Sequence, residues 1–101
     1  MKKPEECENM LEIRAAIDDI DQEIIALIGK RYQYVKAAAK FKTSETSVKA
    51  PGRFAAMLVE RRAWAAQEGL SGDMVEKIYT DMVNYFIKEE LDLWKNRKLD
   101  Q

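Results

Sequence analysis

The stretch of sequence that decides the fold is residues 13–38, IRAAIDDIDQEIIALIGKRYQYVKAA. At about 100° per residue its apolar side chains form one stripe along a helix, made up of Ile13, Ile17, Ile20, Ile24, Leu27, Ile28, Val35 and Ala38. Arg31 lies within about 20° of the centre of this stripe. A guanidinium among apolar side chains is unfavourable unless an anion neutralises it. Its partner is either a carboxylate of the protein or a carboxylate of a ligand.

Three helices and no strands are predicted, so the fold class is all-α. The predicted elements of the single domain, residues 1–101, are a first helix over about 9–41, a loop over 42–50, a second helix over about 51–68 and a third over about 72–97. Asn9 is a plausible N-cap of the first helix, and Pro51 favours the start of the second. Gly69 ends the second helix, and Ser71 caps the third.

The first helix is too long for a compact chain of this size. A helix of about 30 residues is about 45–50 Å long, whereas a 100-residue domain has a radius of gyration of about 13 Å. One short chain cannot fully cover so long an apolar stripe. We therefore expect an intertwined homodimeric helical bundle, with association to another helical partner as the weaker alternative.

Composition excludes several classes of function. The 101 residues include 17 Lys and Arg against 18 Asp and Glu, a net charge of −1, which argues against nucleic-acid binding. No apolar run has the length of a membrane span, and the first residues, MKKPEECENM, lack the apolar core of a signal peptide. A single cysteine, Cys7, excludes an internal disulfide and a thiolate metal cluster. We expect a cytoplasmic protein that binds neither nucleic acid nor membrane.

The chain has no histidine, which removes the commonest general base and the commonest transition-metal ligand. Its four glycines form no phosphate-binding motif. Any catalysis must therefore use Arg, Lys, carboxylates and shape. Such side chains suit a reaction that needs electrostatic stabilisation more than proton transfer.

Further charged residues lie at positions where an apolar residue or the opposite charge is expected. Glu90 falls on an apolar stripe of the third helix, and Lys42 lies at the junction with the loop. Arg14 is about 80° from the centre of the first stripe, where a neighbouring subunit could contact it. Arg53 lies in the first turn of the second helix, where the helix dipole mildly disfavours a cation.

Each of these residues also has a purely structural interpretation. Arg31 and Glu90 could form a buried ion pair. Arg14 could pair with Asp18 four residues later, Lys42 could be solvated, and Arg53 could extend its charged end into solvent. Taken singly, none identifies a function.

Taken together, these residues resemble a known family. Arg14 in IRAAID, Arg31 and Lys42 in GKRYQYVKAAAKFK, and Arg53 in APGRFAAML resemble the all-helical chorismate mutase superfamily. Within it the chain is most similar to the isochorismate-pyruvate lyase branch. The resemblance extends from KKPEEC near the start to EELDLW near the end.

The resemblance implies an intertwined homodimer with two active sites. Arg31, Lys42 and Arg53 would bind a small dicarboxylate from one subunit, and Arg14 would be contributed across subunits by the other. An apolar wall for the substrate ring would be formed by Val35, Met57 and Ile87. The resemblance also implies a place in salicylate and siderophore biosynthesis.

The implied reaction is a pericyclic elimination of pyruvate from isochorismate, which gives salicylate. The resemblance implies that this reaction needs no general base, no metal and no other cofactor. Lys42 would stabilise negative charge on the ether oxygen, and the loop over 42–50 would act as a lid. Glu90 occupies a position where many relatives have glutamine, a hydrogen-bond donor to the ether oxygen. Since only a protonated carboxyl can donate, Glu90 is predicted to act as a neutral acid, with activity that falls as pH rises.

Phe86 is aromatic, as in the lyases, which favours lyase over mutase as the main activity. The alternative is chorismate mutase, converting chorismate to prephenate, as the main activity. The alternative of another class is a non-catalytic dimeric helical interaction module, in which protein carboxylates alone would neutralise the cations.

Overall fold

The computed structural model describes residues 2–99, and side chains as far as residue 97. The helices are, in order, α1 (Met10–Ala38), α2 (Glu45–Lys49), α3 (Pro51–Gln67) and α4 (Gly72–Leu99), with 3₁₀ turns at Pro4–Glu6 and Ala39–Phe41. No strand occurs within residues 2–99, so the all-α prediction is confirmed for the described chain. Residues 1, 100 and 101 of the predicted domain lie outside the described residues.

The chain divides into two compact units, Met1–Tyr34 and Val35–Gln101. The first unit consists mainly of the N-terminal part of α1. Asn9 caps this helix as predicted, because its side-chain Oδ1 accepts a hydrogen bond from the backbone N–H of Glu12 at 2.9 Å. Glu12 in turn accepts from the backbone N–H of Glu8 and from the ammonium of Lys2, both at 3.0 Å.

The apolar stripe of α1 is largely exposed in the single chain. Its exposed members, with their exposed fractions, are Ile17 (51%), Ile20 (44%), Ile24 (48%) and Leu27 (64%). A helix face of this composition is stable in water only when another surface covers it. The long first helix therefore forms as predicted, and the chain by itself does not bury it.

The second unit contains a helix that the sequence reasoning missed. Residues 42–50 were predicted as a loop, yet Glu45–Lys49 form the short helix α2. Ser44 caps it by accepting a hydrogen bond from the backbone N–H of Ser47 at 3.1 Å, and the Ser47 hydroxyl accepts from the N–H of Ser44 at 3.0 Å. This reciprocal pair is a capping box, which offsets the unfavourable start of a short helix. We call residues 42–50 the lid segment.

The turn from α3 to α4 follows the sequence prediction closely. Gly69 adopts a φ of 73°, a left-handed conformation that favours glycine. The N–H of Leu70 donates to the carbonyl of Ala65 at 2.8 Å, and that of Gly69 to Ala66 at 3.2 Å, the two bonds of a Schellman motif. Ser71 caps α4 by accepting from the N–H of Met74 at 3.3 Å. Two helices separated by only four residues, 68–71, are thereby turned back on each other.

The core of the second unit lies between α4 and the elements that precede it. Its buried apolar residues are Ala39, Val48, Met57, Ala65 and Val83. On α4, Val83 belongs to one of two apolar stripes, and Ile78 and Leu93 belong to the other, where they are 53% and 38% exposed. Helix α4 thus uses one stripe inside the chain and leaves the other partly uncovered. Within the described residues, no helix is long and apolar enough to cross a membrane.

Candidate functional site

Glu90 is a charged residue that is buried in the second unit, with an exposed fraction of 5%. Burial raises the pKa of its carboxyl above the ordinary value of 4.5, and the nearby positive charge of Lys42 partly opposes this rise. The sequence prediction that burial favours the neutral acid is confirmed in direction. A neutral carboxyl at this position can donate a hydrogen bond, which a carboxylate cannot.

Lys42 is held at both its side chain and its backbone. Its ammonium donates a hydrogen bond to the carbonyl of Ser47 at 3.0 Å, within the lid segment. Its own carbonyl accepts a hydrogen bond from the indole Nε1 of Trp94 at 3.0 Å. The side chain is half-buried, unlike a solvated loop lysine. The structure therefore brings Lys42 and Glu90 together, one as a cation and the other as an acid.

The predicted apolar wall lies in the same unit. Met57 on α3 is buried, with 4% exposed, whereas Val35 at the end of α1 is half-buried. Phe86 and Ile87 are half-buried and precede Glu90 on α4 by four and three residues, which places all three side chains on one face of the helix. Glu90 therefore shares its face of α4 with two apolar side chains.

Arg53 is exposed at the surface of the second unit. It lies in the first turn of α3 as predicted, with 65% of its side chain exposed. Its guanidinium faces the carboxylate of Glu60 at 3.8 Å, and that carboxylate is itself 54% exposed. An ion pair so exposed and so long contributes little to stability, which leaves the guanidinium available to an anionic ligand.

The two remaining predicted residues lie in the first unit. Arg14 is exposed in the second turn of α1, and Arg31 is half-buried near the end of that unit. They are separated by 17 residues. At 1.5 Å per residue this spacing corresponds to about 25 Å along the helix axis, and the two side chains point about 100° apart.

Arg61 is a half-buried cation that the sequence reasoning missed. Only 14% of its side chain is exposed, and its guanidinium carbon lies 4.8 Å from the ring centre of Trp64 and 5.3 Å from that of Tyr79. Its Nε has no hydrogen-bond partner within the described structure. Arg61 lies about 20° from the centre of the buried face of α3, so the periodicity test that singled out Arg31 would have found it. These contacts join α3 to α4 and suit a structural role.

The described chain is all-helical, and its second unit contains a buried acid, Glu90, close to Lys42. The chain also matches a known protein family in sequence. The sequence model of type II chorismate mutases matches residues 13–91. The chain therefore belongs to the type II chorismate mutase family, a family of enzymes, and the resemblance seen in its motifs is confirmed.

Two curated proteins are similar to the chain in sequence. The chain is 43% identical over 98 residues to the isochorismate pyruvate lyase of Pseudomonas aeruginosa, and the alignment covers 97% of both proteins. It is 35% identical over 83 residues to the T-protein of Haemophilus influenzae, which is 81% of this chain and 21% of that protein. Similarity to the lyase thus extends over nearly the full length of both chains.

Proposed function

We propose that this chain is an isochorismate-pyruvate lyase, which eliminates pyruvate from isochorismate to give salicylate, with chorismate mutase as a secondary activity. The observation that carries the proposal is the proximity of Lys42 to the buried carboxyl of Glu90, whose pKa burial raises above the ordinary value. The full-length similarity to a lyase supports the choice of substrate. We also place the enzyme in the cytoplasm.

The reaction transfers a hydrogen from the ring to the enolpyruvyl group as the C–O bond breaks, in one concerted step. Because electrons move within the substrate, the enzyme needs to bind the reactive conformer and to stabilise charge on the ether oxygen. The ammonium of Lys42 supplies a positive charge for that oxygen. The neutral carboxyl of Glu90 supplies a hydrogen bond to it.

The two carboxylates of the substrate require cations of their own. A guanidinium can form two parallel charge-assisted hydrogen bonds with a carboxylate, so arginine suits this task better than lysine. Arg31 and Arg53 are the proposed partners within one subunit. Val35, Met57, Phe86 and Ile87 would contact the ring, and the lid segment would exclude water.

Arg14 and Arg31 of one chain are poorly placed to bind the same small molecule. They lie about 25 Å apart along α1, and their side chains point about 100° apart. If both contact the substrate, this spacing favours contributions from two different chains. This spacing supports a site in which Arg14 is contributed by the partner subunit.

The exposed apolar stripe of α1 supports the same dimer. Ile17, Ile20, Ile24 and Leu27 leave a long face uncovered, and Ile78 and Leu93 on α4 leave another. A second copy of the chain presents the same faces, which makes a two-fold intertwined homodimer the natural arrangement. The dimer and the active site are therefore one proposal, since the site is incomplete without the partner's arginine.

The first experiment supplies isochorismate and chorismate separately to the purified protein. Salicylate and pyruvate from isochorismate support the lyase, and prephenate as the main product supports chorismate mutase, the candidate favoured by the family match. If neither salicylate nor prephenate forms, both enzyme activities are refuted and a non-catalytic module is favoured. Lys42→Ala should lower kcat by about 100-fold or more with a much smaller change in KM, because its charge acts mainly in the transition state.

The second experiment tests whether Arg14 acts across subunits. Arg14→Ala and Arg53→Ala are each expected to give inactive homodimers. When the two variants are unfolded together and refolded in equal amounts, about a quarter of all sites would regain both arginines if Arg14 comes from the partner. If Arg14 and Arg53 serve a site from the same chain, no site is repaired and activity stays at the level of the single variants.

A further inference from the structure

The C-terminal part of α4 contacts the lid segment and the turn that precedes it at several points. The contacts are Arg97 Nη1 to the carbonyl of Ala39 at 3.3 Å, Trp94 Nε1 to the carbonyl of Lys42 at 3.0 Å, and Lys95 Nζ to Glu45 Oε1 at 3.1 Å. In addition, Val48 of α2 is buried, with 3% exposed. The segment that carries Lys42 is thus attached to the end of a helix that also carries Glu90.

The contact made by Trp94 differs from the ion pair beside it. The side chains of Lys95 and Glu45 are 54% and 53% exposed, so solvent and salt weaken their attraction. The indole N–H of Trp94 is part-buried, and it donates to the backbone of Lys42 itself. A backbone contact at this residue fixes the point from which the lysine side chain extends.

Glu90 and Trp94 are one helical turn apart on the same face of α4. The charge of Lys42 acts on the carboxyl of Glu90, and the backbone carbonyl of Lys42 accepts a hydrogen bond from Trp94. One face of α4 therefore interacts with both the side chain and the backbone of Lys42. The ammonium has its own contact with the carbonyl of Ser47, so the lysine is fixed by α4 at its backbone and by α2 at its charge.

We propose that Trp94 is a positioning residue for Lys42: its indole N–H fixes the Lys42 backbone, and thereby the ammonium, beside Glu90. The inference rests on the proposed function, because it assigns Lys42 its task in the reaction. A lysine side chain has four flexible carbons, so movement of its backbone displaces the charge. Displacement of a catalytic charge by about 1 Å is enough to slow a reaction strongly.

The test removes the N–H and retains an aromatic ring. Trp94→Phe should lower kcat by about threefold to tenfold, the effect of one lost hydrogen bond, with KM changed by less than about twofold. Trp64→Phe, whose ring contacts Arg61 instead, is the matched control and should retain both parameters. If Trp94→Phe folds poorly, 3-benzothienylalanine at position 94 preserves the bicyclic shape and lacks the donor.

A double-mutant cycle separates positioning from general stability. In a Lys42→Ala background, Trp94→Phe should have no further effect on kcat, since there is no ammonium left to position. Loss of kcat by the same factor in both backgrounds would overturn the proposal. Unchanged kcat in a folded, active Trp94→Phe enzyme would overturn it as well.

Amide hydrogen exchange provides a readout that does not depend on the reaction. Trp94→Phe should speed exchange in the lid segment relative to wild type and to Trp64→Phe. Unchanged exchange there would refute the attachment of Lys42 by Trp94. If the wild-type chain converts neither isochorismate nor chorismate, the proposed function fails, and faster exchange would still support the attachment.

Discussion

Replacing Glu90 by glutamine gives the sharpest prediction for stability and activity. Glu90 is 5% exposed, and burial raises the pKa of its carboxyl above 4.5 despite the charge of Lys42. Below the ordinary pKa, both the folded and the unfolded chain carry the protonated acid, so its contribution to stability is fully present. As pH rises, the unfolded chain loses its proton first, and the folded chain is destabilised until its own pKa is passed.

The magnitude follows from the same linkage. Each pH unit by which the folded pKa exceeds the unfolded one lowers the free energy of unfolding by about 1.4 kcal/mol. For a chain of this size, 1 kcal/mol shifts the melting temperature by about 4–8 °C, so one such unit corresponds to about 6–11 °C. Glu90→Gln has no proton to lose and should not show this decline. The variant should therefore gain stability over the wild type as pH rises.

Circular dichroism melts of both proteins between about pH 4 and 8, at fixed protein concentration, provide the measurement. Glu89→Gln removes the same charge one residue away and should retain the pH dependence of the wild type. Lyase activity should decline with pH in the wild type and stay flat in Glu90→Gln, because the amide donates a hydrogen bond at every pH. Parallel stability curves for wild type and Glu90→Gln would refute the reasoning.

Two further predictions concern the turn from α3 to α4. Gly69→Ala should destabilise the chain by about 1 kcal/mol in thermal melts, because an alanine is strained at a φ of 73°. The control is Gly52→Ala, whose new Cβ would meet no atom within 4 Å, and this variant should be neutral or stabilising. Arg62 pairs with Asp73 at 2.8 Å and with Glu76 at 3.0 Å, so Arg62→Gln should lower the melting temperature slightly in low salt. That difference should shrink at high salt, and a difference independent of salt would contradict an electrostatic cause.

The features that sequence predicted well depend on neighbours along the chain. Asn9, Gly69 and Ser71 each mark a helix end through hydrogen bonds that reach only three to five residues, and the structure has all of them. Glu90 was found because its place on an apolar stripe depends only on helical periodicity. Such local rules operate whether or not the rest of the fold is known.

The three features that were missed have different causes. Helix α2 has five residues, too few for an apolar period, although the spacing of Ser44 and Ser47 is a capping signal that could have indicated it. The bond from Trp94 to Lys42 joins residues 52 apart, and no local pattern predicts it. Arg61 required the same periodicity test on α3 that was applied to α1.

Two opposing effects act on the pKa of Glu90 in this chain without histidine. Desolvation favours the neutral carboxyl, and the charge of Lys42 favours the ionised one. A bound dicarboxylate would neutralise part of that positive charge and add negative charge nearby. Both changes disfavour ionisation of Glu90, so we expect substrate binding to strengthen the protonated form. The acid would then be most firmly neutral when its hydrogen bond is needed, with the protein supplying burial and the substrate supplying the final electrostatic contribution.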